Sequence, residues 1–283
     1  MNSVVFVYPR VEYPSYTDYR RLVQCSGFES CFGDQMDPGR NCTYVISPIW
    51  SSDFSDCVSG IARLPRCARM IWWFLERPIF FGPRPENEMA DIMLGRGFDE
   101  VWLSDRYFYN RLPADPRFRF VPVGSDEVLA SGVSSAKLYD FCHLSLIYGR
   151  RDSLYRRLPG TLAPNGFGAE RDRILQASRF MLNVHQDEDP VLEGLRFAVA
   201  AANRIPLISE SCGDPFPFVE GEDFLSVPYH DLPARLERLL EEGPVRYADM
   251  AERMFRKAVR DFRFADNVRH ALTKSSPANL SHP

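Results

Sequence analysis

Apolar positions along this chain fall into short unbroken runs, β-branched and aromatic, with polar stretches between them. The first, SVVFVY at 3–8, is closed by Pro9, as expected of a strand buried on both faces. The same pattern predicts strands at 43–49, 70–75, 98–104 and 119–123. Polar residues follow the strand ends: Ser51, Ser52 and Asp53 after the second run, Glu76, Arg77 and Pro78 after the third. Connections of this length between strands imply a parallel sheet and not a sandwich.

Beyond a polar linker at 132–135, a strand is expected at 143–148, leading into Gly149, Arg150 and Arg151. Another at 181–184 runs into His185, Gln186 and Asp187. Glu193 and Gly194 then open an Ala-rich helix through Ala202, and 205–208 starts the next strand. A helix N-terminus facing a strand end can hold an anion through its free N–H groups and dipole. Two amphipathic helices follow, 232–242 and 247–262; the second carries Met250, Met254, Phe255, Val259 and Phe262 at spacings of three and four. Residues 274–283, rich in Ser, Pro and Asn, read as a frayed tail.

At 283 residues the chain can fill two modest cores. Its formal charge of -4 gives no global attraction to nucleic acid or anionic membrane, so any such contact has to be local. The seven cysteines are an odd number with no C-x-x-C pair, which suits reduced thiols. No stretch reaches the roughly 20 apolar residues of a membrane span, and a cytoplasmic location is expected. The phosphate-loop, nucleophile-elbow, zincin and dinucleotide motifs are all absent.

The stretch around Gly194-Leu195, Ala200, Ala202, Pro206-Leu207-Ile208, Gly213 and 220–227 resembles the donor half of GT-B glycosyltransferases. Pro122, Gly124 and Asp126 resemble the segment that joins the two halves of those enzymes. The resemblance implies an α/β protein of two Rossmann-like domains facing across a cleft. The first, acceptor-side domain is expected at 1–130 and the nucleotide-sugar-binding domain at 131–262, with a crossing helix and tail at 263–283. It implies transfer of a sugar, with retained anomeric configuration, from a nucleotide diphosphate sugar, needing no metal or other cofactor. The acceptor is a glycan, a lipid-linked saccharide or a modified DNA base. The family's paired glutamates fall here on Val191 and Val199, and its usual glycine on Arg204. That departure keeps open a non-catalytic module that binds a nucleotide or a protein.

Chemistry narrows the candidates. Gly149, Arg150, Arg151 and Arg156 offer bidentate grips on a diphosphate, or alternatively a solvated helix face. Glu193, with Gly194 beside it, or Glu210 can replace the missing ribose-binding glutamate. His185 follows a strand directly and can reach the donor. Glu76 at the end of 70–75 can orient a sugar or act as a base, or pair with Arg77 or Arg106. Asp53 and Asp105 share that strand-end geometry, and Tyr13 and Tyr16 lie in an aromatic loop suited to stacking on an acceptor.

Overall fold

The computed structural model describes residues 3–9, 16–37, 39–47, 68–132 and 136–273, so Tyr13 and Asp53 lie outside the described residues. The strands are β1 Ser3–Tyr8, β2 Glu29–Phe32, β3 Cys42–Ile46, β4 Arg69–Phe74, β5 Glu100–Leu103 and β6 Phe118–Phe120, then β7 Tyr139–His143, β8 Ser178–Asn183, β9 Leu207–Glu210 and β10 Leu225–Val227. They form two parallel sheets, ordered β2-β1-β3-β4-β5-β6 and β10-β9-β8-β7. The helices are α1 Thr17–Cys25, α2 Glu86–Leu94, α3 Arg106–Arg111, α4 Arg150–Tyr155, α5 Gly168–Gln176, α6 Gly194–Ala202, α7 Leu232–Glu242, α8 Ala248–Phe255 and α9 Phe264–Thr273.

The unbroken apolar runs follow from burial on both faces of each sheet. In β4, Met70, Trp72 and Phe74 pack with Met89 and Met93 of α2 and Phe108 of α3. Ile71 and Trp73 turn the other way, onto Tyr19 and Leu22 of α1 and Phe264 of α9. In the second sheet Phe141, Phe180 and Ile208 meet Leu236 and Leu239 of α7. Cys142, Met181 and Leu207, on its opposite face, share a core with Trp73. One continuous core therefore joins the two sheets, in the arrangement of two Rossmann-like domains.

The chain crosses between sheets twice, at one place. Ser125 donates through Oγ to Ala198 O at 2.7 Å and through its N–H to Ala258 O at 3.1 Å, and its carbonyl accepts from Phe264 N at 3.0 Å. Gly124 sits at φ +70°, and a Cβ there would lie 1.9 Å from Phe262 O. Only glycine lets the outgoing and returning strands of chain approach so closely. The returning segment brings Phe264 onto Trp73, with stacked rings 5.6 Å apart.

Two expectations differ from the structure, and one strand was not anticipated. The strand expected at 143–148 lies at Tyr139–His143, and the following apolar residues leave the sheet: Leu146, Ile147 and Tyr148 are all more than 40% exposed. The helix expected at 247–262 ends its α form at Phe255 and continues as a π-helical turn, Arg256–Asp261, which turns the chain back toward Gly124. Polar β2 has no apolar run to announce it, because an edge strand is covered on one side only.

Candidate active site

A cavity of about 380 Å³ opens between the sheets where strand ends from both converge. The segment after β4 brings Leu75, Glu76 and Arg77 to it. The loop after β7 brings Leu144 to Leu146 and Tyr148, and the first turns of α6 bring Leu195, Arg196 and Val199. Residues 195, 196 and 199 share one helix face, so an otherwise apolar helix presents a single guanidinium to the cavity.

Glu193 anchors the charged wall. Its Oε1 accepts from Arg196 Nη1 at 2.7 Å and Arg151 Nη2 at 3.1 Å, and its Oε2 lies 3.2 Å from His185 Nδ1. Burial on its own would raise the Glu193 pKa, but Arg196, His185 and Arg77 outweigh it and hold the carboxyl well below its ordinary value. Arg151 also donates from Nε to Val184 O at 2.8 Å and from Nη1 to Leu146 O at 3.4 Å. Its pKa is lowered to about 10 by burial and the nearby Arg196 charge.

Glu76 faces the same cavity from the other sheet, partly exposed and with no ion pair among the described residues. Burial pushes its pKa up to about 7; Arg196 and Arg77 act against that shift, and Glu193 adds to it. Of its two possible ion-pair partners, Arg106 is bidentate to Asp214 at 2.6 and 2.8 Å, and Arg77 pairs with Asp187. The pKa values of two carboxylates of one cavity are thus pushed apart, Glu76 upward and Glu193 downward.

Several expected site residues have other work. Arg150 is bidentate to Glu210 at 2.7 and 2.8 Å, donates to Asp187 O at 2.7 Å and lies over the Tyr229 ring, so Arg150 and Glu210 brace each other behind the cavity. His185 is also behind the wall: it is buried, with Nε2 3.2 Å from Ser211 O and Nδ1 at Glu193, and so positions Glu193. Arg156 is turned to solvent, 77% exposed and paired with Asp152 one helical turn away. Gly149, at φ +57°, supplies the bend before α4. Gly194 packs against Val123, 3.2 Å from where a Cβ would sit.

Two expected acceptor contacts are corrected by burial. Tyr16 is fully buried with its ring edge-on to Tyr8, and cannot stack on a bound molecule. Asp105 is buried at the seam: Oδ1 caps α3 by accepting from Phe108 N at 2.5 Å, while Oδ2 accepts from Leu192 N of the other half at 2.8 Å. Burial raises the Asp105 pKa to about 6 against those two hydrogen bonds.

Sequence reasoning missed Arg77 and Arg196 as cavity residues, together with the apolar rim of Leu146, Tyr148 and Phe167. Arg196 had a signal, being the one charged residue within an Ala-rich helix. Val191 and Val199, where the resembled family carries its glutamates, both line the cavity as apolar wall. Among the described residues no group of His, Cys, Asp and Glu is arranged to hold a metal, and no helix is long and apolar enough to cross a membrane.

No family model matches the chain, and no curated protein matches it by sequence. Solved structures do. HepE from Anabaena, in complex with UDP and glucose, superposes with a TM-score of 0.65 at 12% identity, covering 98% of this chain and 100% of HepE. A DNA-modifying β-glucosyltransferase, solved with and without uridine diphosphoglucose, gives 0.52 at 12% identity, covering 96% and 100%. TarM gives 0.56 at 8% identity over 86% of this chain, which spans 56% of TarM's length. These likenesses establish the GT-B fold: two Rossmann-like domains with a cleft between them.

Proposed function

We propose that this protein is a glycosyltransferase that moves a sugar from a nucleoside diphosphate donor onto an acceptor hydroxyl brought in over the first sheet. The carrying observation is the cavity itself. One carboxylate without an ion-pair partner among the described residues, Glu76, its pKa raised by burial to about 7, faces guanidinium-bearing walls supplied by the other sheet. Departure of a nucleoside diphosphate adds negative charge to a phosphate oxygen, which cations in a water-poor cleft stabilise. Removal of the acceptor proton needs a base titrating near the working pH, which suits Glu76.

In this reading Glu76 takes the proton as the acceptor oxygen attacks the anomeric carbon and the donor's carbon–oxygen bond breaks, with the electron pair leaving on the diphosphate. A base on the acceptor side and direct displacement give inversion, in place of the retention that the family resemblance implies. The donors of HepE and of the DNA-modifying enzyme support a uridine diphosphate sugar as the first donor to test. A glycan, a lipid-linked saccharide or a modified DNA base remain the acceptor classes, and the exposed apolar rim at Leu146 and Tyr148 favours one with an apolar or planar surface.

The test is transfer by the purified protein with UDP-, GDP- and ADP-sugars against these acceptors, with product configuration read by proton NMR. Glu76→Gln is expected to lower turnover roughly a hundredfold or more while UDP affinity stays near wild type. The wild-type rate should rise with pH through about 7 as Glu76 ionises. A Gln variant that turns over normally removes Glu76 from the mechanism.

A further inference from the structure

The arginines expected to grip the donor phosphates are already engaged. Arg151 has Val184 O, Leu146 O and Glu193 as partners, Arg150 has Glu210, and Arg156 is in solvent. Arg77, on the first sheet's side of the cleft, is different. It is 6% exposed and lines the cavity, yet its Nε and Nη1 have no hydrogen-bond partner. Its Nη2 alone is occupied, by the Asp187 carboxylate and by Asp189 O at 2.6 Å. Those contacts fix the guanidinium across the cleft with the rest of its donors unanswered. Leaving buried charged N–H groups unpaired is costly, and an anion is the partner that relieves the cost.

Resting on the glycosyltransferase reading, we infer that Arg77 is a cross-cleft ligand for the donor's diphosphate, reaching from the acceptor-side sheet to oxygens that Arg150, Arg151 and Arg156 do not serve. Arg196, held by Glu193 and by Asn183 Oδ1 at 2.9 Å, faces the same space and supplies the second positive charge. Donor binding then engages both halves of the molecule at once. The phosphate-bearing end is recognised by a residue immediately beside Glu76, so that leaving group and acceptor base are registered by one segment of chain.

Calorimetry with UDP, inorganic pyrophosphate and uridine separates the outcomes. Arg77→Gln should weaken UDP and pyrophosphate about ten- to a hundredfold, the range for charge-assisted hydrogen bonds, and leave uridine unchanged. Arg106→Gln is the control: it breaks another bridge across the seam, to Asp214, without touching the cavity, and should leave UDP affinity within about twofold of wild type. Equal losses in the two variants, or an equal loss for uridine, make Arg77 a mere tether and overturn the inference. A wild type that binds UDP with no loss in Arg77→Gln overturns it alone. A wild type that binds none of UDP, GDP, ADP and pyrophosphate overturns the glycosyltransferase reading and this inference with it.

Discussion

Glu76 and Glu193 line one cavity and their pKa values are shifted in opposite directions, and the sign of each shift gives a stability prediction. Glu76 is raised from 4.5 to about 7, chiefly by burial. A raised acid favours the protonated form in the folded state, so its contribution is fully present below about 4.5 and is lost as pH climbs through about 7. Urea midpoints of Glu76→Gln should therefore gain on the wild type between pH 5 and pH 8, and parallel curves would show that the carboxyl is not desolvated. Glu193 is lowered, so its contribution is present above its ordinary value and fades only in strong acid. Glu193→Gln strips the shared anion from Arg151, Arg196 and His185 and should cost about 3 kcal/mol or more at pH 7. Arg150 shows the limit of residue-by-residue reading. Its place after a strand suggested phosphate, but a carboxylate sixty residues later in the chain, Glu210, occupies both arms of its fork.

At the level of elements, turn chemistry explains what was legible. Gly124 was placed between the halves from its Pro-x-Gly-x-Asp setting, and the structure shows why it must be glycine: a positive φ and the carbonyl of Phe262 where a side chain would begin. Gly124→Ala should lower stability by more than about 2 kcal/mol in chemical denaturation, and a neutral result would mean that the two crossings can move apart. Asp126, the last residue of that motif, bonds Val128 N at 3.1 Å and Arg263 Nε at 2.8 Å, joining the outgoing crossing to the returning one. The family's other glycine position carries Arg204, which keeps the left-handed conformation at φ 48°. It closes α6 through Arg204 N to Ala201 O and Ile205 N to Ala200 O, paired bonds of a Schellman end. Its own side chain pairs with Glu252 at 2.8 Å and lies over the Phe255 ring, contacts that offset part of the cost of a non-glycine residue there. Strands buried on both faces announced themselves by composition. The loop after β7 was read as strand because Leu146, Ile147 and Tyr148 look like core, and apolar residues kept exposed at a cavity rim carry no local sign of it. The cavity's charge pattern was legible only in part, since the adjacent Glu76 and Arg77 and the helical-turn pair Glu193 and Arg196 come to one cavity only through tertiary structure.

At the scale of the whole molecule, the far side of the cavity is closed by a charged latch. Arg171 of α5, 1% exposed, meets Asp18 of α1 and also Asp172, which Arg21 of α1 holds in turn at 2.8 Å. Burial raises the Asp18 pKa, and Arg171 is the foremost influence against that shift. Arg171→Met leaves Asp18 without its buried partner and should cost about 3 kcal/mol, measured by urea unfolding; a loss below about 1 kcal/mol would show that solvent reaches the latch. The aromatic packing of α9 acts over a longer stretch of chain. Phe264 completes the cage formed by Phe6, Tyr19 and Trp73, although in sequence all four strands of the second sheet come between it and β6. On the ribosome, where synthesis runs from the N-terminus, the six strands of the first sheet emerge long before the helix that seals one of their faces. The half made first is thus the half finished last, and until translation passes Phe264 its exposed rings are a natural client surface for a chaperone.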